Sequence, residues 1–196
     1  MTCKNFRSVS SLPFVSKILE KVVLTQLRNH LSNNNLLEIC QSAYRKGHST
    51  ETAVLSVLGG LLVSADERLV SLVAPLDLSA AFDTQDHTLL LQRLQMTYGV
   101  RGTVLDWFAS SLSERFQSVI VEGVVSASRP LVYCVPPGSV LGPVLFTLYS
   151  QPLSDVIFVH DCDYHKYADD TELSKLLLPI STTVFSPIFK HVLVMF

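Results

Sequence analysis

Three carboxylates have the residue type and the setting for chemistry. Asp169 and Asp170 are adjacent in Tyr167-Ala168-Asp169-Asp170, and Asp77 closes an apolar run within Leu76-Asp77-Leu78-Ser79-Ala80-Ala81-Phe82-Asp83. Hard oxygen ligands suit Mg²⁺, which keeps several waters that a phosphate substrate can displace. Two such ions can stabilise both the attacking and the leaving oxygen of an in-line phosphoryl displacement. Nucleotide addition to a growing strand is the first reaction this chemistry suggests. Each aspartate also has a plainer reading, since aspartates end strands, cap helices and pair up in turns. Two carboxylates forced together in a partly buried hairpin repel each other, however, and a bound cation relieves that repulsion. The apolar flank and the distant Asp77 make the three a stronger signal than any one.

The elements that must position them can be read from periodicity. An amphipathic helix is predicted over Phe14 to Ser32, with Val15, Ile18, Leu19, Val22, Leu27 and Leu31 on its apolar stripe. A second helix is predicted from Ser49 or Thr50, where a hydroxyl can cap and Glu51 favours the first turn, although Gly59-Gly60 weakens it. Leu69 to Leu76 reads as a buried strand ending at Asp77. Helices follow over Thr88 to Tyr98 and Thr103 to Ser113, then strands over Phe116 to Val121 and Val124 to Tyr133. Ser139 to Tyr149 is a helix opened by the Pro- and Gly-rich segment Val135 to Pro143, in which Gly138 permits close backbone approach and Ser139 can cap. His165 to Ala168 and Thr171 to Leu173 form the arms of the hairpin carrying Asp169-Asp170. The order suits an α+β domain.

Composition sets the limits. The 196 residues are 48% hydrophobic and 16% charged, enough for a packed core. The net charge of -2 lends no support to nucleic-acid binding, which draws on clustered Lys and Arg, so such a function rests on local patches. Arg7 and Arg45 can each meet phosphate, or be ordinary solvated arginines. Cys3, Cys40, Cys134 and Cys162 form no CxxC pair and have no zinc-ligand spacing with His48, His87, His160 or His165. Reduced thiols in an intracellular protein are expected, without a signal peptide. The apolar tail is interrupted by Pro179, Pro187, Lys190 and His191, so no membrane association is expected.

Taken in order, Asn5-Phe6-Arg7, Gln41 to Thr50, Leu76 to Asp83, Val135 to Pro143 and Tyr167 to Thr171 resemble the reverse transcriptase of LINE-type non-LTR retrotransposons. The resemblance implies a right-hand polymerase palm with partial fingers and no thumb. It assigns partial fingers to 1–68, the palm with interleaved fingers elements to 69–174, and leaves the tail 175–196 unassigned. By this resemblance Asp77, Asp169 and Asp170 are catalytic metal ligands, and Leu78 lends a backbone carbonyl. Phe82 matches the aromatic that excludes a 2′-hydroxyl, Arg7 matches a fingers arginine on the incoming triphosphate, and Gly138 lies at the substrate. Arg45 is a weaker match on the template side. The implied cofactor is a pair of Mg²⁺ ions, with Mn²⁺ as a substitute. The implied partners are an RNA template, a DNA primer and a dNTP, with a nuclear location by analogy and an unidentified partner for the missing thumb. Templated attack of a primer 3′-hydroxyl on the dNTP α-phosphate is the implied reaction. An inactive remnant that keeps the palm fold, and at most binds nucleic acid or protein, is the alternative.

Two departures bear on that choice. Where the family usually reads Gly-Val-Pro-Gln-Gly-Ser, this chain has Cys134 for the first Gly and Pro137 for the Gln. Proline supplies neither the side-chain amide nor a backbone N–H. Pro75 lies two residues before Asp77, in what is expected to be a central strand, where it would remove a ladder hydrogen bond.

Overall fold

A computed structural model of the chain describes residues 10–78, 82–136, 138–160 and 162–177. The elements are α1 (Phe14–Asn33), α2 (Thr50–Asp66), β1 (Val70–Asp77), α3 (His87–Met96), α4 (Thr103–Leu112), β2 (Phe116–Gln117), β3 (Ile120–Val121), β4 (Val124–Val125), β5 (Arg129–Pro130), α5 (Gly142–Ser150), α6 (Pro152–Val159), β6 (Asp163–Tyr167) and β7 (Asp170–Leu177). Described residues within Met1–Leu36 and Phe82–Tyr149 form one compact unit, mainly helical, and those within Leu37–Ala81 and Ser150–Phe196 form a second built on a sheet.

In the helical unit, Leu31, Leu90, Leu94, Phe108 and Phe146 are fully buried. The buried stripe of α1 is Glu20, Leu24, Leu27 and Leu31, whereas Val15, Ile18, Leu19 and Val22 are exposed. The expected stripe is therefore right only at its C-terminal half. Farther up the helix the buried face rotates toward Glu20, whose carboxylate caps a loop described below. Asp86 accepts from the Leu89 N–H at 2.9 Å and caps α3. The two long strands expected between Phe116 and Tyr133 are broken into four short ones, pairing as β2–β5 and β3–β4. Positive φ at both Glu122 and Gly123 makes the tight β3–β4 turn.

In the sheet unit the strand order is β1-β7-β6, all antiparallel. Its core is Leu153, Ile157, Cys162 and Leu173, with Ala74, Leu76, Leu78 and Tyr164 packed against it. α6, which supplies Leu153 and Ile157, is an element the sequence reading did not anticipate. It is short, and Pro152 at its first turn looks like a breaker, although proline fits there because its missing N–H has no helical partner. α2 begins where expected: Ser49 Oγ accepts from the Thr52 N–H at 3.3 Å, and Thr52 Oγ1 accepts from the Ser49 N–H at 2.8 Å. The helix runs unbroken through Gly59-Gly60, so the expected weak point does not interrupt it.

β1 is not the buried central strand expected. It has a ladder partner on one side only among the described residues, and Val70, Leu72 and Val73 are exposed. Among the described residues Pro75 thus sits on an edge strand, where a missing N–H is tolerated.

Lys166 on β6 is 1% exposed. Its ammonium donates to Ser154 Oγ at 2.5 Å and Ser150 O at 3.3 Å, and lies 3.2 Å from the Glu38 carboxylate. Ser154 Oγ also donates to Glu38. Burial pushes the Lys166 pKa down, and the Glu38 charge opposes that fall. Breaking such a pair from one side leaves an uncompensated buried charge. Lys166→Met is expected to cost about 3 kcal/mol in urea denaturation. Combining it with Glu38→Gln should cost less than the two single losses added together.

Candidate active site

Asp77 ends β1 and Asp170 begins β7, and the ladder register sets them directly opposite each other. Directly paired residues on antiparallel strands point to the same face, with Cβ atoms about 5 Å apart. Two carboxylates 93 positions apart (170 minus 77) thus share one face of the sheet. That face is open, because both side chains are exposed. Asp169 is half-buried and occupies the two-residue loop between β6 and β7. As a loop residue it takes its direction from the turn and not from strand alternation.

Among the described residues, no three His, Cys, Asp or Glu side chains are gathered closely enough to hold one metal ion. The three expected ligands are placed as a facing pair, Asp77 and Asp170, with Asp169 on the adjoining turn. The donor set still fits magnesium, which binds through one or two carboxylates and completes its shell with water and substrate phosphate. Leu78 follows Asp77, and its side chain packs against the unit's core.

The loop carrying Asp169 is held from outside the hairpin. Ala168 has φ +60°, a left-handed conformation unusual for a residue with a Cβ. The Gln41 side chain is buried and hydrogen-bonded to the Ala168 backbone. Along the outer edge of β6, the Lys166 N–H donates to Cys40 O at 2.7 Å and the Ser42 N–H donates to Lys166 O at 2.9 Å. Ser42 Oγ lies 2.9 Å from His165 Nε2. Tyr44 stands close enough to Asp169 that the carboxylate charge, after burial, raises the phenol pKa. Arg45 Nη1 donates to Glu38 O at 2.8 Å, Gln41 O at 3.2 Å and Ile39 O at 3.4 Å, so this nitrogen ties the segment together. Residue type and spacing alone give Gln41, Ser42 and Lys166 no individual role. Gln41 and Ser42 were visible only as members of a motif.

Phe82 and Gly138 lie in the helical unit. Phe82 stacks on Phe146 of α5, ring centroids 4.7 Å apart. Gly138 has φ +91°, which explains the residue type at that position. The buried Glu20 carboxylate accepts from Val140 N–H at 2.7 Å, Ser139 Oγ at 2.8 Å and Leu141 N–H at 3.3 Å. Ser139 Oγ accepts from Gly142 N–H at 3.1 Å, the capping role expected of it. Cys134, which stands where the family has glycine, has φ +80°. Its N–H donates to Gln85 O at 2.9 Å, its carbonyl lies 2.9 Å from His87 Nε2, and burial beside Asp83 pushes its thiol up to about 11. Arg7 and Pro137 lie outside the described residues.

The sequence pattern described as "Reverse transcriptase (RNA-dependent DNA polymerase)" matches residues 2–174. The chain belongs to the reverse transcriptase family. It is similar to the RNA-directed DNA polymerase from mobile element jockey of Drosophila melanogaster, 28% identical over 172 residues, covering 85% of this chain and 19% of that protein. It is likewise 28% identical over 180 residues to the probable RNA-directed DNA polymerase from transposon BS of the same fly, covering 87% of this chain and 19% of the relative. These relatives agree with the LINE-type non-LTR assignment drawn from the motifs. This reverse transcriptase chain thus spans about a fifth of the length of the curated relatives it matches. Its fold resembles that of apo telomerase from Candida tropicalis truncated from its C-terminal domain. The TM-score is 0.62 at 13% identity, covering 89% of this chain and 36% of that one. The α+β, palm-like fold expected from sequence is the fold found.

Because Cys134 holds φ +80°, Cys134→Gly should be more stable than Cys134→Ala by about 1 kcal/mol in chemical denaturation, the reverse of the usual order. A pH effect follows from His165, whose pKa burial pushes down, Glu172 opposing and His48 adding to the fall. The folded state then binds this proton less readily than the unfolded chain. The contribution is present above the unfolded pKa of about 6.5 and is lost as pH falls through the lower folded value. Thermal melts from pH 8 to 5 should show that step, and His165→Gln should flatten it.

Proposed function

We propose that this chain is the core of an RNA-directed DNA polymerase, adding deoxynucleotides to a primer 3′-hydroxyl on an RNA template with release of pyrophosphate. The observation that carries the reading is the β1–β7 register, which sets Asp77 opposite Asp170 on an open face. In this reading Asp77, Asp169 and Asp170 supply carboxylate oxygens, and Leu78 its main-chain carbonyl, to two Mg²⁺ ions. Bound there, the ions would neutralise charge on the triphosphate. The open face admits the primer terminus and the α-phosphate. Carried over from the motif match, Phe82 would limit room for a 2′-hydroxyl and Gly138 would let main chain approach the nucleotide. Arg7 would meet the triphosphate and Arg45 would order the segment beside the hairpin. RNA template, DNA primer and dNTP are the partners proposed, with action at chromosomal DNA in the nucleus.

One observation favours the alternative, a palm that folds without catalysing. Pro137 stands where the family has glutamine and supplies neither that side-chain amide nor a backbone N–H. Primer extension on poly(rA)/oligo(dT) with dTTP and Mg²⁺ or Mn²⁺ decides between the two. Incorporation by the wild type that falls roughly a hundredfold or more in Asp77→Asn and Asp169→Asn supports the polymerase. Equal incorporation in all three overturns the site. A folded wild type that binds the duplex without extending it supports the inactive palm.

A further inference from the structure

We propose that Gln41 is a positioning residue for Asp169, acting through the backbone of Ala168; this rests on the metal-binding role given to the hairpin above. The amide of Gln41 is 3% exposed and aimed at the loop between β6 and β7. Its Oε1 accepts from the Ala168 N–H at 3.1 Å and from the Ala43 N–H at 2.9 Å. Its Nε2 donates to Ala168 O at 3.2 Å. One primary amide thus satisfies both main-chain polar groups of the residue immediately before Asp169. Only one orientation of the amide can do this, since two N–H donors need its oxygen and a carbonyl needs its nitrogen.

The residue being held is one that needs holding. Positive φ at the first loop position and not at the second is the pattern of a II′-type hairpin turn, which normally takes glycine there. Alanine pays a steric penalty in that region, so the loop keeps its shape only if its surroundings over-determine it. The surroundings do so. The Gln41 main chain forms a parallel bridge to Lys166, and Lys166 is anchored below by Glu38, Ser150 and Ser154. Arg45 secures Gln41 O from the other side. Rotating Ala168 out of its left-handed conformation would swing Asp169 away from the Asp77–Asp170 pair. Gln41 therefore sets the direction of a carboxylate that it does not touch.

The test uses the full chain and Mn²⁺ alone, with affinity read by electron paramagnetic resonance and amide exchange at position 168 read by NMR. Groups that orient metal ligands from behind typically change affinity by about ten- to a hundredfold. Gln41→Ala should weaken Mn²⁺ binding by about tenfold or more and speed exchange at 168, while Ile157 and Leu173 amides stay protected. Adding Ala168→Gly to Gln41→Ala should recover most of the affinity, because glycine takes the left-handed region unaided. A purely structural role gives no such rescue. Gln41→Glu should slow exchange at 168 only as its carboxyl is protonated, since the neutral acid repeats the acceptor and donor of the amide. If Gln41→Ala does not fold, that pH-dependent recovery decides the matter. Mn²⁺ binding lost in Asp169→Asn but unchanged in Gln41→Ala overturns this proposal alone. No Mn²⁺ binding by the wild type, or binding that survives Asp169→Asn, overturns the polymerase-site reading and this proposal with it.

Discussion

Everything proposed for the carboxylate face depends on the register between β1 and β7. Side chains alternate faces with a period of two, so a slip of one residue would turn Asp170 into the core and bring Thr171 out. The polar face cannot hold that register, because two facing aspartates repel. The opposite face does. Leu173 is fully buried against Leu153 and Ile157, and its partner Ala74 and the neighbouring Leu76 pack into the same cluster. Burial of that apolar side fixes the placement of an acidic side which, alone, would resist being assembled.

A second feature is shared by the two units. Each has a non-glycine residue in left-handed backbone at a motif the family uses, Ala168 in the sheet unit and Cys134 in the helical unit. Each is restrained by hydrogen bonds from other segments, Gln41 in the first case and Gln85 with His87 in the second. Local strain of this kind persists where surrounding structure over-determines it, and it gathers at sites that must present a group in one direction. Glu20 belongs to the same logic: a buried carboxylate on α1 organises three donors in the loop after Pro136.

How much of this was legible in the chain depended on whether a signal was local. The Ser49 cap, the Asp169-Asp170 hairpin and the end of β1 at Asp77 were readable, since each is written in adjacent residues or in a short period. Hydrophobicity does not reveal that Glu20 is drawn inside by a loop about 120 residues away, so the upper stripe of α1 departs from its apolar pattern. Lys166 looks like a surface residue in sequence, because its burial depends on Glu38 and Ser154 meeting it. α6 was hidden by its length and its opening proline. Gln41 could be seen as part of a motif, but its two-sided hold on Ala168 exists only after the chain has brought residues 127 positions apart together.

Pro75 takes on a different meaning in the folded sheet. β6 has its outer edge occupied by Cys40–Ser42, whereas β1 has no such cover among the described residues and carries exposed Val70, Leu72 and Val73. An apolar edge strand of this kind is a template on which another molecule's strand can build. Proline breaks the row of N–H groups that such growth requires. Replacing it with leucine, to make the strand more regular, would complete that row and invite the sheet to continue into a neighbouring molecule. Pro75 is thus also a break in the row of N–H groups that β1 offers along its outer side among the described residues.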